Sequence, residues 1–464
     1  MPTLLRPTHP AAPATPGKAF ALLLLLLCAV YSFWLLAFWP GVLGMDSLAI
    51  LREVENPAAV QSGKPVFWYY FVKALYGRMH LVEVPIAVQL AFCAVVFARI
   101  LSWCWQQGMK RVFVVLLVFV CLAPHMIFFM ESLYPDGIFS VAIAGLLFEL
   151  WLGVGSRKLS GASLAMIGAT LPVAAFARPN GIVFLVAVIV AIFMVNRTSR
   201  IWLALITAVW CALIAVGAHL HNRPVHGSLY PLALFETVNF LQPRPMNLWT
   251  PEPRVSPKTV EVLSRFRRLA NIIANYDPDY WDPLVHGMKG PGLMGLPEAD
   301  KKVVVAEFFR YNLWHNIPRF VASRVNIFLA SALAEGDMPK AESAWFVLEQ
   351  TQTKSRFRKF GLAGLEKVLT AGYNASFAFR WLLWSPFFGI GLLGVLLWRG
   401  IKERRVSNLI VTVPMLLQLG GIFLFSIAAE YRYLLPFFCL PLVLLPMAVM
   451  SMRGAALQAD PSRD

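Results

Sequence analysis

Six charged residues stand where charge is expensive. Asp46 follows the first long apolar run, with Lys64 in the same loop; Glu131 and Asp136 occupy a short polar break between two later runs; Arg178 and Arg432 sit in similar breaks. A carboxylate set against a hydroxyl can accept its proton as a general base, an assistance worth roughly 10²–10⁴-fold. Guanidinium groups hold phosphate through paired hydrogen bonds, and an ammonium adds a point charge. Paired carboxylates beside a phosphate also leave a divalent cation, Mg²⁺ or Mn²⁺, open. Long basic side chains at helix ends commonly snorkel to the interface, but carboxylates are too short to reach far. Acids and arginines in matching turns therefore imply a polar cavity opening on one side of a membrane.

The membrane follows from composition. Of 464 residues, 58% are hydrophobic and 14% charged, where a soluble domain carries about 25% charged residues. That excludes a soluble enzyme, a disordered tail and a nucleic-acid-binding protein. A hydrocarbon core about 30 Å thick needs roughly 20 apolar residues in helix. Candidate spans are 19–38, 82–101, 111–130, 137–153, 160–176, 181–195, 201–219, 377–398, 406–427 and 433–450, so the expected fold is an all-α polytopic membrane protein with about ten transmembrane helices. The first run is longer than a signal peptide's apolar region and ends at Trp39-Pro40-Gly41 without a small-residue cleavage site, so it is expected to stay as an anchor. Arg178-Pro179-Asn180-Gly181 marks a turn between two short spans.

Orientation comes from the loops. With the N-terminus cytoplasmic, the inner loops hold Arg99, Lys110 and Arg111, then Arg157 and Lys158, Arg197 and Arg200, and Arg399, Lys402, Arg404 and Arg405. The short outer turns hold Glu131 with Asp136, Arg178, and Glu430 with Arg432. This is the positive-inside pattern, with both termini cytoplasmic. Much of the net charge of +16 is thereby topology.

Three regions result: a membrane core over 1–220 with a first outer loop at 39–81, an extracytoplasmic helical region over 221–376, and C-terminal helices with a cytoplasmic tail over 377–464. The middle region opens with Pro243, Pro245, Pro251, Pro253 and Pro257. Ser256 is placed to cap a helix whose apolar stripe is Val260, Leu263, Phe266, Leu269 and Ile273. Pro297 opens a second helix to about Asn316, and Pro318 a third, in which Arg319, Arg324, Phe320, Ile327 and Phe328 suit a membrane interface.

The loop motifs resemble those of the GT-C superfamily of polytopic glycosyltransferases, which use polyprenyl-phosphate-linked sugars. Asp46 matches an acid soon after the first span, Pro65 to Tyr70 a proline-and-aromatic segment before the second, and Glu131-Ser132-Leu133-Tyr134-Pro135-Asp136 a second acidic motif. Arg178-Pro179-Asn180 and Arg432-Tyr433-Leu434-Leu435-Pro436 are similar to two further motifs. Lys64 departs from the pattern, standing where many relatives have histidine. The resemblance covers about 19–219 and 377–450. It implies transfer with inversion from a polyprenyl-phosphate-linked donor to an extracytoplasmic lipid, glycan or protein acceptor, in a bacterial inner membrane with the site facing the periplasm. Asp46 is then the expected base, with Asp136 and Glu131 supporting it, binding sugar or holding a cation. Arg178, Arg432 and Lys64 are the expected phosphate ligands.

Other residues carry less. His125 is expected as a hydrogen-bonded interior imidazole, and His219, His221 and His226 as solvated loop residues. Trp68, Tyr69, Tyr70 and Trp281 suit an interfacial belt or a sugar-stacking surface. The basic run Arg265, Arg267, Arg268 suits a solvated helix face. Cys28, Cys93, Cys121, Cys211 and Cys439 lie in apolar runs, and no CxxC pair joins any of the six cysteines, so small buried hydrophobes are expected. No P-loop, dinucleotide fingerprint or GxSxG elbow is present. A transporter or flippase of lipid-linked glycans stays open, although it predicts an internal repeat and none is found; a polysaccharide polymerase stays open as well.

Overall fold

The computed structural model describes residues 17–221, 229–243, 254–285, 290–335 and 340–459, with side chains as far as 453. Pro245, Pro251, Pro253 and His226 lie outside them. The described residues are helical, with isolated bridges and no strand ladder. Two compact units divide the chain: 1–223 with 339–418 and 432–464, and 224–338 with 419–431.

The first unit begins with α1 (Lys18–Ala37), α2 (Met45–Glu55), α3 (Val66–Tyr76), α4 (Glu83–Gln106), α5 (Lys110–Leu122), α6 (Pro124–Met130), α7 (Pro135–Ser156), α8 (Gly161–Phe176), α9 (Val183–Met194) and α10 (Arg197–His221). The second holds α11 (Leu229–Leu241), α12 (Pro257–Phe266), α13 (Leu269–Ala274), α14 (Asp282–Val285), α15 (Glu298–Glu307), α16 (Leu313–His315) and α17 (Ile317–Ala332). There follow α18 (Ser343–Glu349), α19 (Ala363–Ala378), α20 (Arg380–Leu383), α21 (Phe387–Lys402), α22 (Val406–Phe425), α23 (Leu435–Cys439) and α24 (Pro441–Ala459).

Among the described residues seven helices are long and apolar enough to cross a membrane: α1, α4, α7, α10, Arg380–Lys402, α22 and Leu435–Arg453. An eighth candidate is the α5–α6 pair, bent by 61°. Pro124 opens α6 and pushes Ala123 to an extended conformation, which breaks the helix there. All ten expected segments are helical, but α8 and α9 are shorter than a full span. This is a multi-pass helical membrane protein.

Burial follows hydropathy. Apolar on every side, α7 is buried through the whole of its membrane-length window and packs on α4, α8 and α23. By contrast, α1 and α10 leave most of their apolar surface outward, as lipid-facing helices do. Arg99 corrects the loop assignment. α4 runs on to Gln106, so Arg99 lies inside the helix and is buried, pairing with Glu149 of α7 through Nε–Oε1 at 2.7 Å and Nη2–Oε2 at 3.2 Å. A guanidinium inside a span needs such a partner, because unpaired charge there is costly.

The segment 340–376, grouped by sequence with the large extracytoplasmic region, belongs to the first unit. Its polar groups tie it there. Arg52 of α2 donates to Gln350 Oε1 at 2.7 Å, Gln352 N to Glu55 Oε1 at 2.8 Å, Lys354 N to the His80 carbonyl at 2.7 Å, and Arg358 N to the Trp39 carbonyl at 3.1 Å.

In the second unit an apolar core gathers around α11, including Leu234, Phe235, Val238, Leu263, Ile272 and Phe308. The single stripe expected from 260 to 273 is broken. α12 stops at Phe266, Arg267 is extended, and α13 restarts at Leu269. Ser256 makes no side-chain cap; its hydroxyl donates to Glu307 at 2.5 Å while Asn312 accepts from its N–H at 2.7 Å. A π-turn at Phe308–Asn312 interrupts the helix expected from Pro297. Arg324, expected at an interface, is instead buried against Glu236 and the Ser426 carbonyl. Arg319 donates to the carbonyls of Asn239, Phe240 and Gln242, closing the C-terminal end of α11. Arg265 pairs with Asp300 at 2.8 Å, and Arg267 donates to the Pro291 carbonyl at 3.1 Å.

Candidate functional site

The loop after α1 is laid against the turn before α7. Val42 N donates to the Glu131 carbonyl at 3.2 Å, Val42 and Ser132 form a parallel bridge, and Gln89 Nε2 donates to the Ser132 carbonyl at 3.0 Å. Gly44 precedes α2, and a Cβ there would stand 2.2 Å from the Tyr134 hydroxyl, so only glycine allows the approach. This docking delivers Asp46 in the first turn of α2, where the helix N-terminus favours negative charge.

Lys64 and Arg432 converge on one oxygen of Asp46. Lys64 Nζ lies 2.5 Å from Oδ2, and Arg432 Nη1 contacts the same atom. Local bonds aim the lysine: Ser62 N donates to Glu53 Oε2 at 3.1 Å, and Lys64 N to the Ser62 hydroxyl at 3.2 Å. Arg432 comes from a short 3₁₀ turn, Tyr431–Tyr433, ahead of α23. Burial alone would raise the Asp46 carboxyl, but Arg432 and Lys64 outweigh it and hold the group well below the usual carboxylate range. Burial depresses the Lys64 ammonium, against the pull of Asp46 and with help from Arg432 and Arg178.

A second pair lies beside the first. Asp136, in the first turn of α7, contacts Arg178 Nη1 and is 1% exposed. Pro179 holds Arg178 extended at the end of α8, which turns its side chain out of the helix register. The Tyr433 ring links the pairs: the Arg178 guanidinium lies 5.1 Å from its centroid and that of Arg432 5.6 Å. Arg432 also lies over the Tyr134 ring at 5.2 Å. Three cations and two carboxylates thus share one place.

Five of the six expected site residues are brought together; Glu131 stands apart in kind. Its backbone carbonyl holds Val42, but both carboxyl oxygens are buried without a hydrogen-bond partner among the described residues. Burial pushes that carboxyl well above the usual carboxylate range. His125 stacks on Trp384 at 4.5 Å and meets the Phe438 edge at 4.2 Å, in an aromatic setting. His221, expected in a solvated loop, ends α10 with Nε2 3.2 Å from Glu53 and its ring 4.4 Å from Tyr69. Trp68 and Tyr69 are buried, and Trp281 packs on the core of the second unit. The tyrosines 134 and 433 sat inside the quoted motifs, yet adjacency to an arginine in sequence does not say whose ring it covers.

Asp46 and Asp136 are each bound by side-chain cations, and no group of three or more His, Cys, Asp or Glu gathers among the described residues. No protein-family model, no curated protein and no solved structure matches the chain.

Proposed function

We propose that this chain is an inverting membrane glycosyltransferase of GT-C type, moving a sugar from a polyprenyl-phosphate-linked donor to a hydroxyl of an extracytoplasmic lipid, glycan or protein. The observation that carries this is Tyr433 shared by Arg178 and Arg432, which joins Asp46, Lys64 and Arg432 to Asp136 and Arg178 in one cluster. Three clustered cations suit a phosphodiester, which bears one negative charge. An apolar groove of about 320 Å³ between α3 and α10, bounded by Val66, Tyr70, Trp210 and Leu213, starts two residues from Lys64 and suits an isoprenoid chain.

The chemistry balances as follows. The acceptor oxygen attacks the anomeric carbon opposite the phosphate, forming the new C–O bond. The bond from that carbon to the phosphate oxygen breaks, and its electron pair leaves with the lipid phosphate. The acceptor proton passes to Asp46 and then to water. The departing phosphate gains a negative charge, which Lys64, Arg178 and Arg432 stabilise where it develops. One-step displacement inverts the anomeric centre.

Transfer from a labelled polyprenyl-phosphate sugar by the purified protein tests this, wild type against Asp46→Asn. Loss of about 10²-fold or more in kcat is expected for removal of a general base. Undiminished transfer by Asp46→Asn would remove the base assignment. Translocation of the lipid without transfer would establish a flippase instead.

A further inference from the structure

In the free protein the proposed base and the proposed phosphate cradle occupy one another. Lys64 and Arg432 both meet Oδ2 of Asp46, so a phosphate oxygen bridging those two cations as the carboxylate does takes the place of that oxygen. We propose that the donor's phosphate replaces Asp46 as the counter-ion of Lys64 and Arg432, so that Asp46 is released to the acceptor hydroxyl only once the donor is bound. What the released carboxylate does rests on the glycosyltransferase proposal; the exchange itself requires only a lipid phosphate.

Burial decides which acid gives way. Asp46, Lys64 and Arg432 keep side-chain exposures of 24%, 19% and 16%, so an incoming phosphate and water can reach the trio. Asp136 is 1% exposed and has no comparable freedom to leave Arg178. Asp46 stays in the first turn of α2 when displaced, where the helix N-terminus still favours its charge.

Release changes what Asp46 can do. Clamped by two cations it is a poor proton acceptor, because an effective base has a proton affinity matched to the working pH. With its cations given to the phosphate, and a new negative charge close by, its proton affinity rises. Donor binding thus makes the base, and without donor the site has no base to activate water or an acceptor. An ordered mechanism follows, donor before acceptor.

The consequence is counter-intuitive and measurable. Deleting the base removes the phosphate's competitor, so Asp46→Asn and Asp46→Ser should each bind a short-chain polyprenyl monophosphate about tenfold more tightly than wild type, within the usual range for coupled charged groups. Lys64→Met should weaken binding in either background. The measurement is equilibrium binding to full-length protein in detergent, on variants that keep the wild-type melting profile. Equal or weaker binding by both Asp46 variants overturns the exchange. Tightening in a protein that transfers no sugar would leave the exchange standing and remove the glycosyltransferase proposal; transfer without tightening would do the reverse.

Discussion

Removing Arg178 should destabilise the fold around the site as well as take away a phosphate ligand. The carboxylate of Asp136 is 1% exposed and Arg178 is the cation in contact with it, whereas Arg178 itself keeps 19% exposure. Breaking a buried pair from the side that strands the buried charge costs about 3–5 kcal/mol. At about 2 °C or more per kcal/mol for a large domain, Arg178→Ala should lower the melting temperature by at least about 6 °C. Asp136→Asn should cost less, because the stranded guanidinium can still reach water. The double variant Asp136→Asn/Arg178→Ala should be more stable than Arg178→Ala alone, since no charge is then left buried. The buried thiols of Cys93, Cys104 and Cys439 provide the readout, reacting with a thiol-specific fluorophore as the purified protein is heated. A melting temperature for Arg178→Ala within about 1 °C of wild type would refute the reasoning, and would make Arg178 a ligand-binding residue with no structural share.

Other perturbations have equally definite outcomes. Lys64 loses its proton below the ordinary lysine value, so affinity for a lipid phosphate should fall as pH rises toward that value. Lys64→Arg should move this alkaline loss to higher pH in a binding titration. Asp46 behaves oppositely: its carboxyl is held low, so its ion pairs stabilise the donor-free protein fully at neutral pH, and that stabilisation is lost as pH falls through and below the ordinary carboxylate range, an acid limb in the melting temperature that Asp46→Asn should lack. Gly44→Ala should cost about 1–3 kcal/mol by driving a methyl into the Tyr134 hydroxyl, and Tyr134→Phe in the same chain should recover part of that loss in thermal melts. Glu149→Gln should destabilise by about 3–5 kcal/mol because Arg99 is left unpaired inside the bundle, whereas Arg99→Met/Glu149→Leu should be close to neutral.

Much of the architecture was legible because it is written at short range. Runs of apolar residues specify helices in lipid, and all ten segments read from hydropathy are helical. Proline and glycine marked the turn at Arg178–Gly181, since they act on their own backbone and that of their neighbours. Length was harder to read. α4 continues past 101 through Trp103 and Trp105, which carried Arg99 into the bundle, and the π-turn at Phe308 comes from how the second unit packs its core. That the 340–376 segment packs within the first unit was not legible, because hydrogen bonds such as Arg52 to Gln350, 298 positions apart, leave no periodicity in the chain.

The candidate site divides along the same line. Sequence alone determined a helical membrane protein and picked out Asp46, Lys64, Asp136, Arg178 and Arg432, because charge at the edge of an apolar run is costly enough to mark itself. Only the tertiary structure decided how they combine: Asp46 takes both Lys64 and Arg432, Asp136 takes Arg178, and one tyrosine ring lies under both arginines. It also decided that Glu131 is buried, with its carboxyl pushed above the usual range, and that Arg99 belongs to Glu149. Hydropathy says what must leave water but not what it will meet there, and Arg432 meets Asp46 across 386 positions of chain because helix packing brings their ends together.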